Sequence, residues 1–350
     1  MGGSTAASLY IFGGCDAKVC FKELYKLDLQ SFQWSRPRTL NNACAPPALR
    51  AHSTTHIPPF KSLKSSSADG HLMFFGGGDG PNYFNDLYLL NLKTMTWSKP
   101  AHEASKSPTT TSDANKKNAT KVSPSSAEAS AVSMEQQVYG RLPSPRRAHA
   151  ALWYDKRKEL VIFGGGNGSK ALNETWVLEC KDWQALTWKK IDALGKKPRV
   201  RGYHTMNLLG DRAIVFGGSD GSECFSDVFV LDLETFTWTE IPIYEPSLHC
   251  PRLSHSATLI SPTQILILGG HNGTDYKKDI TIFSLATGKF YNVTNTTALE
   301  SYSTMGPSRR GYHTTTLSDG RVVMVGGYDG KRHFDDVWCL EVVAIAAFAN

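Results

Sequence analysis

Five histidines recur in this chain shortly after an arginine, at His52, His149, His204, His255 and His313. Imidazoles in a row invite a metal ion or a general base. A zinc site needs three or four ligands about 2 Å from one ion, whereas each of these residues heads an equivalent stretch of a different sequence unit. The spacing therefore predicts a local hydrogen-bonding role for each. Carboxylates repeat in the same way, one per unit, at Glu23, Asp86, Glu174, Asp227, Asp279 and Asp336. One acid per unit at one register predicts a partner within the unit, with the nearby arginine as its natural match. Trp34, Trp97, Trp188 and Trp238 share a register too and read as core, not as a platform for bases or sugars.

A direct search for catalytic motifs finds no G-x-S-x-G, no G-x-x-x-x-G-K-[ST] and no H-E-x-x-H. The Gly-Gly-Gly stretches at 76–78 and 164–166 lead into turns rather than helices, so they do not build a phosphate cradle. The chain is expected to be non-enzymatic, with no metal and no cofactor. Its seven cysteines are scattered without a C-x-x-C, which suits a reducing compartment. Cys180 and Cys339, at strand positions, read as small buried hydrophobes.

Composition narrows the class further. The 350 residues are 41% hydrophobic and 20% charged, too apolar for a wholly disordered chain. The net charge of +6 is spread without a basic block, which argues against a nucleic-acid footprint. The longest apolar run, Val342 to Ala349, falls far short of the ~20 residues that span a bilayer. The start carries no basic-then-apolar signal region. A cytoplasmic protein without membrane insertion is expected.

What positions the recurring residues is an internal repeat. A Gly-Gly pair closes a short apolar run six times, ending at Gly14, Gly77, Gly165, Gly218, Gly270 and Gly327. The acidic residue follows the second glycine by nine positions in every copy, and an aromatic follows by twenty in four of them (Trp34, Trp97, Trp238, Phe290). Trp188 lies at twenty-three, so the third unit carries an insertion. Apolar runs of Val, Ile, Leu and Phe predict strands buried on both faces. Asp-Gly or Asn-Gly predicts the turn that follows. Each unit then reads as four antiparallel strands: one headed by His, one ending in Gly-Gly, one headed by the acid, one carrying the aromatic.

Successive Gly-Gly pairs lie 63, 88, 53, 52 and 57 residues apart, and about fifty residues per four-stranded unit is the size of a propeller blade. The fold class is all-β, a six-bladed propeller forming a single domain over 1–350. The excess length places a loop insertion at 58–70 in blade two and a larger one at 101–140 between blades two and three. The latter is almost devoid of large apolar residues and is expected to be disordered. Counting gives five His-headed, six Gly-Gly, six acid-headed and five aromatic strands, so blade one lacks its first strand and blade six its fourth. The tail 342–350 is expected to stay with blade six; completion of blade one, or a chain whose missing ends would close the ring, are the alternatives.

The Gly-Gly pair, the spaced acid and aromatic, and Arg-x-x-His at Arg146–His149, Arg201–His204, Arg252–His255 and Arg310–His313 resemble the kelch-repeat family over nearly the whole chain. Blade two departs, with Leu49-Arg50-Ala51-His52 shifting the arginine by one. This flavour of repeat is similar to that of fungal cell-end polarity markers, Rab-effector kelch proteins and host-cell-factor-like propellers. The resemblance implies a scaffold that presents loops to protein partners, in polarity, trafficking or cytoskeletal signalling. Because propellers of this kind also include copper-radical oxidases, an enzyme or small-molecule binder working in the central channel is the alternative.

What varies between repeats is where a partner would be read. The Gly-Gly turn loops and the basic interblade connections should emerge on one face. Tyr83, Arg147, Arg201, Tyr203, Arg310, Tyr312, Tyr328 and Lys331 are expected to contribute to a groove for an acidic protein segment.

Overall fold

The computed structural model describes residues 7–60, 69–104, 142–183, 185–244, 251–294 and 306–343. It forms six sheets, one per repeat. Blade one holds Ser8–Phe12, Leu24–Asp28 and Trp34–Ser35, and blade two Ser53–Ile57, His71–Phe75, Leu87–Asn91 and Thr96–Ser98. Blade three holds Ala150–Tyr154, Glu159–Phe163, Thr175–Glu179 and Leu186–Ile191; blade four Thr205–Leu209, Arg212–Phe216, Val228–Asp232 and Thr237–Ile241. Blade five holds Ser256–Ser261, Gln264–Leu268, Ile280–Ser284 and Lys289–Asn292, and blade six Thr314–Ser318, Arg321–Val325 and Val337–Glu341. Among the described residues, blade one has no His-headed strand and blade six no aromatic strand, as the strand count anticipates. The tail beyond Val343 lies outside the described residues.

In blades two to six the Gly-Gly strands are the buried spines of their sheets, whereas in blade one only Phe12 of that strand is buried. Glu159–Phe163 and Gln264–Leu268 are buried at every position, which is why they read as continuous apolar runs. Side chains from facing blades then fill the wedges between sheets. Phe75 and Leu87 of blade two meet Trp153, Ile162 and Trp188 of blade three, and Val161 and Phe163 of blade three meet Val215, Leu231 and Trp238 of blade four. Among the described residues the cluster between blades six and one is smaller, with Leu27, Leu29 and Val323 buried. Trp97, Trp188 and Trp238 are core, as expected. Trp34 is not: it is 42% exposed, because its short two-residue strand lies at the margin of a three-stranded sheet. Cys339 is exposed, on the strand that forms the edge of blade six among the described residues, whereas Cys180 is fully buried and its thiol is pushed up by that burial.

Chain crossings staple blades one to two, two to three and three to four. His102–Ala104 pairs in parallel with Leu186–Trp188 of blade three, so the segment expected to be a disordered loop begins as a strand; 105–141 lies outside the described residues, as does 61–68 of the shorter insertion. Leu194–Gly195 does the same on Thr237–Trp238, and Leu40 bridges Thr96.

The first glycine of each pair has a packing role. Gly164 has φ +68°, and a Cβ there would sit 2.7 Å from both the Arg201 carbonyl oxygen and His204 Cε1 in blade four. Gly164→Ala is expected to lower stability by more than the ~1–3 kcal/mol of left-handed strain alone. Gly210→Ala, at φ +57° with nothing within 4 Å, isolates the strain. Urea midpoints of both variants check this; equal losses would remove the packing role.

Candidate functional site

The arginine of Arg-x-x-His turns inward, where it locks its own blade. Arg201 donates from Nη1 to the Gly217 carbonyl at 2.9 Å and from Nη2 to Asp227 Oδ2 at 2.8 Å, and its guanidinium lies 4.6 Å from the Phe225 ring centre. Arg252 holds the Gly269 carbonyl at 3.0 Å and Asp279 at 2.8 Å; Arg310 holds the Gly326 carbonyl and Asp336, each at 2.9 Å. Arg146 reaches the Gly164 carbonyl at 3.2 Å and Glu174 at 2.8 Å. These are the intrablade partners that the nine-residue register of acids predicts.

This geometry corrects two of the expected partner-binding residues. Arg201 is 0% and Arg310 2% exposed, so neither reaches a surface groove. In an extended segment neighbouring side chains point opposite ways, and the residue after the lock arginine is the one that faces out. Arg147 holds that place in blade three. In blade two the shift by one residue puts Leu49 in the inward position, 2% exposed, and sends Arg50 outward. Asp86 is left to Lys99 at 2.7 Å.

The outward residues and the Gly-Gly turns do share one face, because they pair. Arg50 bridges Gly78, Arg147 bridges Gly166, Gly202 bridges Ser219, Leu253 bridges His271 and Gly311 bridges Tyr328. Each second partner also pairs across its turn, as Gly78 with Tyr83, His271 with Tyr276 and Tyr328 with His333. The turns are pinned by an Asx side chain: Asp220 Oδ1 accepts from the Ser222 and Glu223 amides at 2.9 and 2.8 Å, and Asp329 Oδ1 from Lys331 and Arg332, both at 2.8 Å.

Toward the axis, the residue before each histidine takes a left-handed backbone without being glycine: Ala51, Ala148, Tyr203, Ser254 and Tyr312, at φ 51–61°. Their peptide groups form a chain around the channel. The amide of Ala148 donates to Ala51 O at 2.8 Å, Tyr203 to Ala148 O at 2.9 Å, Ser254 to Tyr203 O at 3.0 Å and Tyr312 to Ser254 O at 2.8 Å. Tyr203 and Tyr312 belong to blades four and six, yet their ring centres lie 5.8 Å apart, so they meet at the channel mouth with blade five between them in sequence.

Around this pair the face is aromatic and cationic. His271 Nε2 is 3.0 Å from the Tyr312 hydroxyl, Tyr276 lies 4.8 Å from the His271 ring, and Tyr328 stacks on His333 at 4.6 Å. Burial, then its neighbours Tyr312 and Tyr328, push the Tyr276 phenol up to about 12. Arg147 lies over the Tyr83 ring at 4.7 Å and opposes the burial that pushes the Tyr312 phenol up. Lys331 stands exposed at the tip of the blade-six turn. Of the eight expected residues, Tyr83, Arg147, Tyr203, Tyr312, Tyr328 and Lys331 are on this face. Arg50, His271, Tyr276 and His333 join them and were missed, although the one-residue shift of Arg50 is visible in the sequence. Among the described residues no three His, Cys, Asp or Glu side chains converge to hold a metal ion.

Six Gly-Gly-centred blades, four of them locked by a buried Arg–carboxylate pair, define a repeat propeller with a loop-bearing face. The sequence model of the KLHDC2/KLHL20/DRC7 Kelch-repeats domain matches residues 3–116 and 115–302, and the chain belongs to the kelch-repeat family. Among its relatives are acyl-CoA-binding domain-containing proteins 4 and 5 of Arabidopsis thaliana, each 26% identical, over 78% and 92% of this chain. Human host cell factor 1 is 26% identical over 77% of it. The chain spans 35% and 41% of the two plant proteins and 12% of host cell factor 1. No helix among the described residues is long and apolar enough to cross a membrane.

Proposed function

We propose that this propeller is a non-enzymatic interaction scaffold whose channel-mouth face receives an acidic segment of a protein partner. The observation that carries the reading is one loop-bearing face on which Tyr203 meets Tyr312, Arg147 lies over Tyr83, and Arg50 bridges the strand position that pairs with Tyr83. Tyrosine offers a large rigid contact area with a polar tip, and arginine offers a planar fork that matches a carboxylate. Both are enriched where binding energy concentrates. Similarity to host cell factor 1 and to other kelch-repeat chains supports the scaffold class.

The test presents immobilised libraries of acidic, neutral and basic peptides to the full chain. Acidic peptides are expected to be retained, with affinity falling as salt rises. Arg147→Glu should weaken that retention about tenfold or more while leaving the urea midpoint unchanged, since Arg147 locks no carboxylate. Retention unaffected by Arg147→Glu and by Lys331→Glu would overturn the reading. Retention of a small channel ligand instead would favour the alternative class.

A further inference from the structure

Blade one carries a feature unlike the other five. The positions that flank its turn, one and six residues after the second glycine, are both cysteine. Cys15 and Cys20 pair as an antiparallel bridge. The flanking hydrogen bonds, Phe21 amide to Gly14 O at 2.9 Å and Asp16 amide to Val19 O at 3.0 Å, make this a non-hydrogen-bonded pair. Such pairs bring their Cα atoms to about 4.5 Å with side chains close together, inside the range that a disulfide spans. Other blades show how near these two side chains come, since the same positions hold the stacked rings of His271 and Tyr276 and of Tyr328 and His333. The turn between Cys15 and Cys20 is pre-set by Asp16, whose Oδ1 accepts from the Lys18 and Val19 amides, both at 2.7 Å.

Two further facts give the pair a direction. Arg50, freed from the lock position by its one-residue shift, donates from Nη1 to Cys15 Sγ at 3.7 Å. This contact places a cationic donor on Cys15, the sulfur assigned the attack. Burial, followed by the nearby Cys15, pushes the Cys20 thiol up, which suits the second, resolving sulfur. Both residues are half-buried and within reach of small molecules.

We propose that Cys15 and Cys20 are a redox-active thiol pair that closes reversibly into an intraloop disulfide when it meets a small-molecule disulfide such as oxidised glutathione. The Cys15 thiolate attacks one glutathione sulfur, the glutathione S–S bond breaks, and one glutathione thiolate leaves. Cys20 then gives its proton to solvent and attacks the Cys15 sulfur of the mixed disulfide, expelling the second glutathione. Two protein thiols are oxidised and one small disulfide is reduced to two thiols; excess reduced glutathione runs the sequence backward. Closure draws Cys15 Sγ toward Cys20 and releases the Nη1 of Arg50 to the channel mouth.

The test uses the full chain in a series of reduced and oxidised glutathione mixtures, quenched by alkylation and mapped after trypsin. Lys18 lies between the cysteines, so cleavage there leaves the disulfide as a cross-link between the peptide ending at Lys18 and Val19–Lys22. The cross-link is expected to appear and disappear reversibly across the series. Cys20→Ser should accumulate glutathione on Cys15 several-fold more than Cys15→Ser does on Cys20, and Arg50→Met should slow closure several-fold. Separate alkylation of both residues in the most oxidising mixture, or cross-linking of either to another chain, would overturn the proposal. The mapping on the unaltered protein stands whatever the variants do.

Discussion

Asp227→Ala is expected to destabilise the propeller by about 3–5 kcal/mol, the loss typical of a buried charge deprived of its partner. Arg201 has no exposed surface. Its Nη1 also holds the Gly217 carbonyl and its Nε the Arg199 carbonyl at 3.1 Å, so it cannot swing out to water without breaking the blade corner. Asp227, 24% exposed, can regain water when the arginine goes. The two single variants should therefore be unequal, with Arg201→Met less harmful than Asp227→Ala. The double variant should recover part of the Asp227→Ala loss, since it leaves no naked cation. Urea unfolding of the four proteins gives the coupling energy directly. Losses that simply add would show that the pair is not a lock. Arg201→Glu and Arg310→Glu would fail as probes of binding, because each puts a carboxylate in a buried lock beside another and unfolds the blade.

Acid should undo this fold well before its carboxylates titrate. Burial holds His52 and His313 down to about 4 and His204 to about 3, and keeps His149 and His255 well below the ordinary value of 6.5. The neighbouring lock arginines add to the burial at His149, His204, His255 and His313. Above pH 6.5 both folded and unfolded chains carry these rings neutral, and they contribute nothing to the pH dependence. Between about 6.5 and 4 the unfolded chain takes up protons that the folded one refuses, so stability falls as pH falls. Each ring contributes up to about 1.4 kcal/mol per pH unit in that window. Glu174, held near 2 against its burial by bonds to Lys190 and Arg146, and Asp336, lowered by Arg310 and Trp338, lose their contribution only below about 4. Urea midpoints from pH 7 to pH 5 should therefore drop steeply, and His204→Gln should flatten the slope by about one proton. A midpoint constant over that range would contradict neutral burial of the row.

Much of this architecture is legible in the residues because each repeat obeys the same rules. Apolar runs ending in Gly-Gly could only be buried strands, and acids at one register needed one partner each. The sequence already held the reason to exclude Arg201 and Arg310 from the partner face: an arginine matched to the acid of its own blade cannot also meet a ligand. What was not legible depends on the third dimension. Tyr203 and Tyr312 are far apart in the chain and meet only because the ring curves. Trp34 looks like its three buried counterparts, and only the thinness of blade one sets it apart. Cys15 and Cys20 show no recognised spacing until the turn folds them face to face.

The left-handed residues at the channel mouth carry a consequence for redesign. A non-glycine residue in that conformation costs about 1–3 kcal/mol and persists only where its surroundings over-determine it. Here the chain of peptide hydrogen bonds does so, through backbone groups that no side-chain change removes. Tyr203 and Tyr312 therefore stand as open letters on a fixed dial, whereas Ala148 and Ser254 are buried within it. New side chains can be written at the open places without asking the backbone frame to refold.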